Sequence, residues 1–421
     1  MSEVGGPRGK VRRGPAKKRV KPRTRFGDAA DLALIGSSHA MSDGFSNMLV
    51  SVLALIVADL SLSETQVGFV LSAFSLSTFL FVFPVSLASD HSGRKLLMLV
   101  LGMTVASLAY VSMLAVASLA VLVVLAFVAG AGNSVYHPCG TALTAERFPS
   151  IKPYAISVHG MMGNIGASVM PIVLGLVAGV LGWRGAIAVC TAPMLLILPA
   201  LALRYRSVEP TERPHAGDLS LWGSSVSITR TVFRERNVLL LAVVYALGGM
   251  ATKAAVGFIP LLAKGRFGFD TSVIGVVLAV YFGMGIAAKP VMGFLYAKLG
   301  PRAALFAPLI VSFAATFAIG LAPWPGLFLV LVALVGATSP ISPVILTAAS
   351  DYADPRVLAS SVGLIYSLHA VGFVAPTVAG LLAERAGMAY AYAFAGALFL
   401  AAASVTLALH GRPVSGGVAR D

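Results

Sequence analysis

Residues 132–175 read GNSVYHPCGTALTAERFPSIKPYAISVHGMMGNIGASVMPIVLG, two apolar helical runs joined by a short charged turn. Polar side chains in such runs are costly unless they face a cavity or a polar partner. Four residues of this kind occur here: Asn133, His137, His159 and Asn164. The pattern predicts that they serve binding rather than packing.

The same arrangement recurs about 205 residues later, in GATSPISPVILTAASDYADPRVLASSVGLIYSLHAVGFVAPTVAG. At this offset prolines, a glycine and polar residues recur at equivalent positions. The pairs are Pro138 with Pro343, Glu146 with Asp351, Asn164 with His369, Pro171 with Pro376 and Gly175 with Gly380. A repeat of half a chain is typical of a two-lobed transporter whose site lies between the lobes.

The composition places the chain in a membrane. Hydrophobic residues make up 57% and charged residues 11% of the 421 residues, whereas soluble domains carry roughly a quarter charged residues. The two cysteines, Cys139 and Cys190, fall inside apolar runs. They are predicted to be small buried hydrophobes rather than disulfide partners or metal ligands.

Twelve apolar runs are long enough to span about 30 Å of hydrocarbon. Their approximate limits are 32–57, 66–89, 96–116, 118–143, 154–180, 185–203, 238–262, 271–295, 303–322, 326–349, 358–383 and 388–409. One long connection, Arg204 to Arg236, divides them six and six. The sequence thus predicts an all-α integral membrane protein: an arm (1–28), a six-helix bundle (29–206), a linker (207–236), a second six-helix bundle (237–410) and a tail (411–421).

The N-terminal arm is strongly basic, with ten Lys or Arg and one acid, Glu3, in residues 1–25. Such a segment is expected to be disordered. Since Phe26 is the one aromatic residue at its edge, a topogenic or lipid-headgroup role is favoured over nucleic-acid binding. Most of the 31 Lys and Arg of the chain fall in segments on the side of this arm, which predicts an inner-membrane protein with both termini cytoplasmic.

The stretch PVSLASDHSGRKLLML, residues 84–99, resembles the signature loop of the major facilitator superfamily. It matches at Asp90, Gly93, Arg94 and Lys95 and departs at Ser86 and His91; the second-half counterpart GFLYAKLGPR keeps Gly293, Gly300 and Arg302 but has Ala297 at the acidic position. The resemblance implies the two-bundle facilitator fold and a gating role for Asp90 and Arg94. A purely topogenic role for Arg94 and Lys95 is the alternative. Glu146 and Asp351 end their spans at equivalent places and are interpreted as gate partners.

Three further stretches, SHAMSDG (38–44), GNSVYHPCG (132–140) and GNIGASVMP (163–171), together resemble the fosmidomycin-resistance branch of that superfamily. This resemblance implies a drug or small-anion exporter driven by the proton gradient. The run Gly163, Gly166, Pro171 and Gly175 is similar to a loosened glycine-proline pattern of facilitator antiporters. Close helix packing explains each of these glycines equally well.

The first span carries His39, Asp43 and Asn47 four residues apart, and hence on one helix face. Asp43 is the acid that lies deep in a span, where an isolated carboxylate is costly as an anion. It is therefore expected to pair with a cation or to be protonated part of the time, and it is the predicted site of the coupling proton. His137 and His159 are the next candidates.

Seven residues are candidates to share a cavity with Asp43: His39, Asn133, His137, His159, Asn164, Lys253 and His369. Lys253 lies mid-span and is expected either to pair with Asp43 across the lobes or to receive an anionic substrate group. Lys289, which precedes Pro290, is expected to extend to the membrane surface.

Other classes of function are disfavoured. Transport of zinc or iron would use histidines too, but no further intramembrane carboxylate or cysteine pair completes a metal site, so no metal and no cofactor are predicted. Enzyme motifs and a nucleotide-binding domain are missing from the sequence. The prediction is a monomeric secondary transporter of a small, anionic organic molecule or drug, by proton-coupled efflux. A proton-coupled importer is the alternative, and a metal transporter or a sensor that does not transport is less favoured.

Overall fold

A computed structural model describes residues 25–92, 94–148, 151–205, 235–352, 365–366, 368–369 and 371–410. The arm up to residue 24, the loop 206–234 and the tail from residue 411 lie outside this description, so the predictions for them are untested. The side chain of Asp90, although its backbone belongs to a described helix, also lies outside this description.

The first lobe is built from long apolar helices, in which Asp43 of α1 is the acid at mid-span. The helices are α1 (Arg25–Leu60), α2 (Glu64–Ser92), α3 (Lys95–Ser112), α4 (Leu119–Asn133), α5 (Tyr136–Arg147) and α6 (Lys152–Tyr205). Gly182 has a φ of 67° inside α6 and turns this helix into two spans. A left-handed residue of this kind favours glycine, which has no Cβ.

The second lobe repeats this plan. Its helices are α7 (Arg236–Phe267), α8 (Thr271–Leu321), α9 (Pro325–Thr338), α10 (Ser342–Tyr352), α11 (Val374–Ala386), preceded by a 3-10 turn at Val371–Phe373, and α12 (Met388–Thr406). Gly300, with a φ of 75°, divides α8 into two spans just as Gly182 divides α6. At the repeat offset of 205, however, the counterpart of Gly182 is Gly387, which has a φ of 100° at the start of α12.

One span in each lobe is interrupted at its centre. α4 ends at Asn133 and α5 begins at Tyr136, because Pro138 has no N–H to bond the carbonyl of Ser134. In the second lobe α9 ends at Thr338 and α10 begins at Ser342, next to Pro340 and Pro343. These breaks lie at equivalent places in the repeat and, as shown below, beside the cavities.

The twelve-span, all-α fold class is confirmed. Within the described residues, nine helices are long and apolar enough to cross a membrane. Two of them, α6 and α8, each contain two spans. α11 is the described part of the span predicted over 358–383.

The beginning of the first helix differs from the prediction. α1 starts at Arg25, inside the arm predicted over 1–28, because hydropathy marks the apolar length of a helix and not its polar extension. Near this end Asp31 is buried, with 1% exposure, and it accepts charged hydrogen bonds from Arg147 and Arg204. These ion pairs tie α1 to α5 and α6, so Arg147 serves packing as well as topology.

Each lobe has its own apolar core. The first is built around Phe45, Tyr110 and Tyr136, and the second around Phe258 and Phe399. Cys139 and Cys190 are both buried, as predicted, and Cys139 Sγ donates to Ser89 Oγ at 3.4 Å.

The two lobes are in close contact at one end of the bundle. We call this the turn end, because the turns 60–64 and 267–271 lie there, and we call the opposite end the termini end. Four glycines allow backbone to meet backbone between the lobes; a Cβ would lie 2.6 Å from Pro376 O at Gly68, 2.3 Å from Glu64 O at Gly380, 2.3 Å from Pro171 O at Gly275 and 2.7 Å from Thr271 O at Gly175. α2 thus packs on α11 as α8 packs on α6, a two-fold arrangement.

Polar groups reinforce the turn-end contact. Among the described residues, hydrogen bonds that cross between the lobes there include Ser72 Oγ with Thr377 Oγ1 at 2.8 Å, Ser272 Oγ to Gly175 O at 3.3 Å, and Thr65 N to Glu384 Oε2 at 3.1 Å. The protein therefore has its turn end closed.

Candidate functional site

Asp43 lies between two histidines in the first lobe. Its carboxylate oxygens are 3.6 Å from His39 Nε2, one turn earlier on α1, and 3.4 Å from His137 Nε2 on α5. Gly163 of α6 makes room for this contact, since a Cβ there would lie 2.4 Å from Asp43 Oδ2. The structure thus brings together three residues that the sequence analysis selected from two different spans.

The orientation of His39 is fixed by the backbone. Its Nδ1 is 2.7 Å from the carbonyl oxygen of His159, so Nδ1 carries the proton that is donated and Nε2 presents a lone pair. The ring is stacked on His159, with centroids 4.1 Å apart, and on Tyr136 at 5.2 Å. A lone pair and the carboxylate of Asp43 therefore face each other, an arrangement that a bound proton stabilises.

The same three groups are the described residues able to hold a metal ion. The donor atoms of His39, Asp43 and His137 all lie within 4.8 Å of one another. The sequence analysis predicted no metal here because a second carboxylate is missing. Two histidines and a carboxylate could hold zinc with a water as the fourth ligand, whereas a proton shared between the facing acceptors needs no further ligand.

The two asparagines of this lobe play different parts. Asn133 accepts a 2.9 Å hydrogen bond from Ser42 Oγ and donates one of 2.9 Å to Ser46 Oγ, so both ends of its buried amide are engaged. It fastens α4 to α1. Asn47 donates to the backbone oxygen of Asp43 at 3.1 Å, and its side chain faces the cavity between the lobes.

A first cavity, of about 290 Å³, lies mainly in the second lobe. Its polar and charged lining consists of Asn164, Tyr245, Thr252, Lys253, Tyr281, Lys289, Ser339, Ser342 and His369. We call this the second-lobe cavity. Ser339 belongs to the break between α9 and α10, so the interrupted helix contributes directly to the wall.

The contacts of His369 in the second lobe resemble those of His39 in the first. His39 lies on the first span of its lobe and bonds a carbonyl of the fifth, whereas His369 lies on the fifth span of its lobe and bonds a carbonyl of the first. Its Nδ1 is 2.9 Å from the carbonyl oxygen of Tyr245, and the two rings stack with centroids 3.9 Å apart. At an offset of 206, one more than that of the pairs given above, Tyr245 falls on His39 and Gly249 on Asp43. A Cβ on Gly249 would lie 2.3 Å from the His369 ring, so the histidine occupies the space that the acid takes in the first lobe.

A second cavity, of about 310 Å³, lies between the lobes and is lined by Asn47, His137 and Lys253, among others. We call it the interlobe cavity. Thr252, Lys253 and Phe282 line both cavities. Lys253 thus connects the histidine side of the site with the second-lobe side.

The predicted pairing of Lys253 with Asp43 is not observed. Within the described residues, the ionisable groups within 4 Å of Asp43 are His39 and His137. Lys253 instead extends along Gly372, where a Cβ would lie 3.3 Å from its Cδ. The Lys253 ammonium therefore faces the cavities, where it could receive an anionic substrate group. This is the second alternative that the sequence analysis gave.

The prediction that Lys289 extends to the membrane surface is wrong. Lys289 Nζ donates a 2.7 Å hydrogen bond to Asn164 Oδ1 of the other lobe, lines the second-lobe cavity and interacts electrostatically with Asp43. At 1.5 Å per residue, Lys289 lies about 27 Å along α8 and Asp43 about 26 Å from the end of α1. The lysine is thus level with the acid, which counting residues from Thr271 would have indicated.

The residues predicted to form a gate lie at the termini end and bind within their own lobes. Lys95 Nζ donates to Glu146 Oε1 at 2.5 Å, and the Tyr296 hydroxyl donates to Asp351. Arg94 is exposed, and the side chain of Asp90 lies outside the described part. A gate role for these residues therefore stays a proposal.

Two six-span lobes, closed at one end and enclosing polar cavities at mid-depth, define a two-lobed membrane transporter. A sequence profile described as Major Facilitator Superfamily matches residues 35–276 and 241–419. The chain belongs to this family. It is a multi-pass membrane protein and a transporter rather than an enzyme.

Curated relatives agree with the predicted resemblance. The chain is 25% identical over 204 residues to a fosmidomycin resistance protein of Escherichia coli (strain K12), covering 48% of this chain and 49% of that protein. It is 25% identical over 248 residues to a probable L-galactonate transporter of the same organism, covering 56% and 54%. The chain thus matches about half the length of these relatives.

Solved structures share the fold over nearly the whole chain. A bacterial homologue of the human lysosomal transporter Spinster, in an inward-facing and unoccupied conformation, superposes with a TM-score of 0.78 at 17% identity, covering 93% of this chain and 100% of that one. The nucleoside transporter NupG gives a TM-score of 0.74 at 12% identity, covering 90% of this chain and 98% of that one.

Proposed function

We propose that this protein exports a small organic anion across the cytoplasmic membrane in exchange for protons. The observation that carries this proposal is the separation of charge: an acid flanked by two histidines in the first lobe, and Lys253 and Lys289 in the second. A carboxylate with facing histidines suits a proton, whereas lysines that line a cavity without an acid in its wall suit an anion. The names of the relatives, a drug resistance protein and a sugar-acid transporter, agree with a small organic solute.

In this proposal the protein works as a monomer, and Asp43 carries the coupling proton. Lys289 interacts with both Asp43 and Asn164, so an anion in the second-lobe cavity competes with Asp43 for this lysine. Proton binding and anion binding then influence each other reciprocally. His137, which is 56% exposed, provides a route for protons to Asp43.

The proposed orientation puts both termini and the termini end in the cytoplasm, as the distribution of cations indicates. The closed turn end is then the outer side. Asp90, Arg94 and Lys95, with Glu146 and Asp351, would form the inner gate, engaging partners across the lobes only when the termini end closes.

The test is transport by the purified protein in proteoliposomes with an imposed pH gradient and a panel of small anions, fosmidomycin included. Efflux of anion that is accelerated by an opposed proton flow establishes export. Accumulation of anion together with protons establishes the importer instead. No dependence on the pH gradient with any anion contradicts the proton coupling.

A further inference from the structure

We propose that Lys253 and Lys289 together bind one doubly charged small anion in the second-lobe cavity. This inference rests on the proposed function and specifies the charge of its substrate. The sequence contains no motif for such a site, because the two lysines lie in different spans. Lys289, unlike Lys253, was also expected at the membrane surface.

The described lining of the second-lobe cavity contains two cations and no acid. The sixteen residues around it include Lys253 and Lys289 but neither Asp nor Glu. His369 does not neutralise them: with Nδ1 bonded to Tyr245 O, a neutral ring directs a lone pair from Nε2, and a protonated ring would add positive charge. Two ammonium groups that line one cavity inside the membrane favour a ligand that carries negative charge.

Protein groups supply little of that negative charge. Asn164 accepts one hydrogen bond from Lys289, but an amide oxygen carries no net charge, and an ammonium has two further N–H groups to donate. Asp43 interacts with Lys289 but is itself shared between His39 and His137. A dianion between the lysines would meet both charges at once.

The rest of the wall suits such a ligand. Hydroxyl groups of Thr252, Ser342 and the bonded pair Tyr281 and Ser339, whose oxygens are 3.0 Å apart, add hydrogen-bond donors around the lysines. A volume of about 290 Å³ is at the small end of ligand sites in proteins. The cavity therefore fits a compact anion, such as a dicarboxylate or a phosphate-like group on a short chain.

The experiment compares sulfate with methanesulfonate, two tetrahedral anions of similar size with two charges and one. Thermal unfolding of the full chain in detergent, at matched ionic strength, gives the apparent affinity of each anion from the rise in Tm. We expect sulfate to bind at least tenfold more tightly than methanesulfonate. Lys253→Gln and Lys289→Gln should each bring that ratio close to one.

Two further variants keep this test decisive. Lys289→Arg retains the charge and should retain a preference for sulfate. Lys298→Gln removes an exposed lysine of the same helix, whose Nζ lies over the Phe294 ring at 4.5 Å, and should behave like the original chain. An equal affinity for both anions, an unchanged ratio in Lys289→Gln, or binding of neither anion overturns the proposal.

The outcome also separates this inference from the function on which it rests. If the protein exports singly charged anions in proteoliposomes and shows no preference for sulfate, the transport function is supported and the dianion site is contradicted. If no anion moves with the pH gradient while sulfate binding depends on both lysines, the site stands and the coupling falls.

Discussion

Lys289 of the second lobe and Asn164 of the first are joined by a 2.7 Å hydrogen bond at the level of Asp43. Transport by alternating access requires the lobes to rock against each other, so this bond must break or lengthen in each cycle. It lies deeper than the turn-end hydrogen bonds named above, and it joins a candidate anion ligand to the lobe that holds the acid.

Asn164→Asp should slow transport. The substitution keeps the size of the side chain and turns a hydrogen bond to a neutral oxygen into an ion pair, a change worth about 1 kcal/mol or more. Since 1.4 kcal/mol corresponds to about a factor of ten, we expect a several-fold to tenfold lower rate of anion exchange in proteoliposomes. In a Lys289→Gln background, Asn164→Asp should have little further effect on this rate; an undiminished effect would show that the lysine is not involved.

Asp43→Asn should abolish pH-driven transport and leave anion exchange between the two sides of the bilayer largely intact. The amide keeps the shape of the carboxyl group but takes up no proton in the physiological range. Asp59→Asn is the matched control on the same helix, since Asp59 accepts from Trp183 and Arg184 at the turn end. Uphill transport by the Asp43→Asn protein would place the proton elsewhere, with His137 or His159 next.

Labelling from outside intact cells should reach a cysteine near Glu64 but not one that replaces Ser225 in the central loop. The reason is the proposed orientation, inferred from the asymmetry of cations, in which the arm and that loop are cytoplasmic. The background is low because Cys139 and Cys190 are buried. Reaction of the Ser225→Cys protein with an impermeant maleimide would reverse the proposed orientation.

Gly166→Ala should lower the stability of the first lobe. A Cβ at Gly166 would lie 1.9 Å from Ala40 O, so α1 and α6 must separate, at a cost of about 1–3 kcal/mol. Gly160 on the same helix has nothing within 4 Å of that position, and Gly160→Ala should be neutral or slightly stabilising because alanine favours the helix. Thermal unfolding in detergent measures both; equal effects would contradict the close contact.

Acid outside the cell should loosen the turn end. Hydrogen bonding to Thr65 lowers the pKa of Glu384, so the contact that this carboxylate makes across the lobes is present at neutral pH and is lost as the pH falls through that lowered value. Labelling of a cysteine that replaces Val256, which lines the interlobe cavity, should therefore increase in acid. In Glu384→Gln the labelling should be raised at neutral pH and should no longer depend on pH.

Most of the architecture follows from the sequence because membrane spans are marked by length and apolarity alone. The repeat also predicted which places are equivalent, including Pro138 with Pro343 and Gly175 with Gly380. The cluster of His39, Asp43 and His137 was predicted as a set of polar residues in apolar runs. Which of them contact Asp43 was not predictable, since this depends on the rotation of each helix about its axis.

Lys289 shows a limit of this reasoning, whereas Lys253 lies within its span as predicted. Hydropathy gives the depth of a residue only approximately. Lys289 precedes a proline and was assigned to the surface, and its partner Asn164 lies on the other lobe, which no local pattern indicates. The buried Asp31 was also missed, because Asp31 and its partners Arg147 and Arg204 lie on three different helices and no local pattern connects them.

The turn-end contacts made by Gly68, Gly275, Gly175 and Gly380 join main chain to main chain. Atoms of the main chain are common to all residues, so these contacts are independent of the side chains that surround the solute. Apart from Asn164 and Lys289, which join the lobes, substitutions in the cavity walls can thus alter which molecule is accepted without altering how readily the lobes part. At those other positions selectivity and turnover are consequently separable, and one scaffold can acquire a new cargo while keeping its speed.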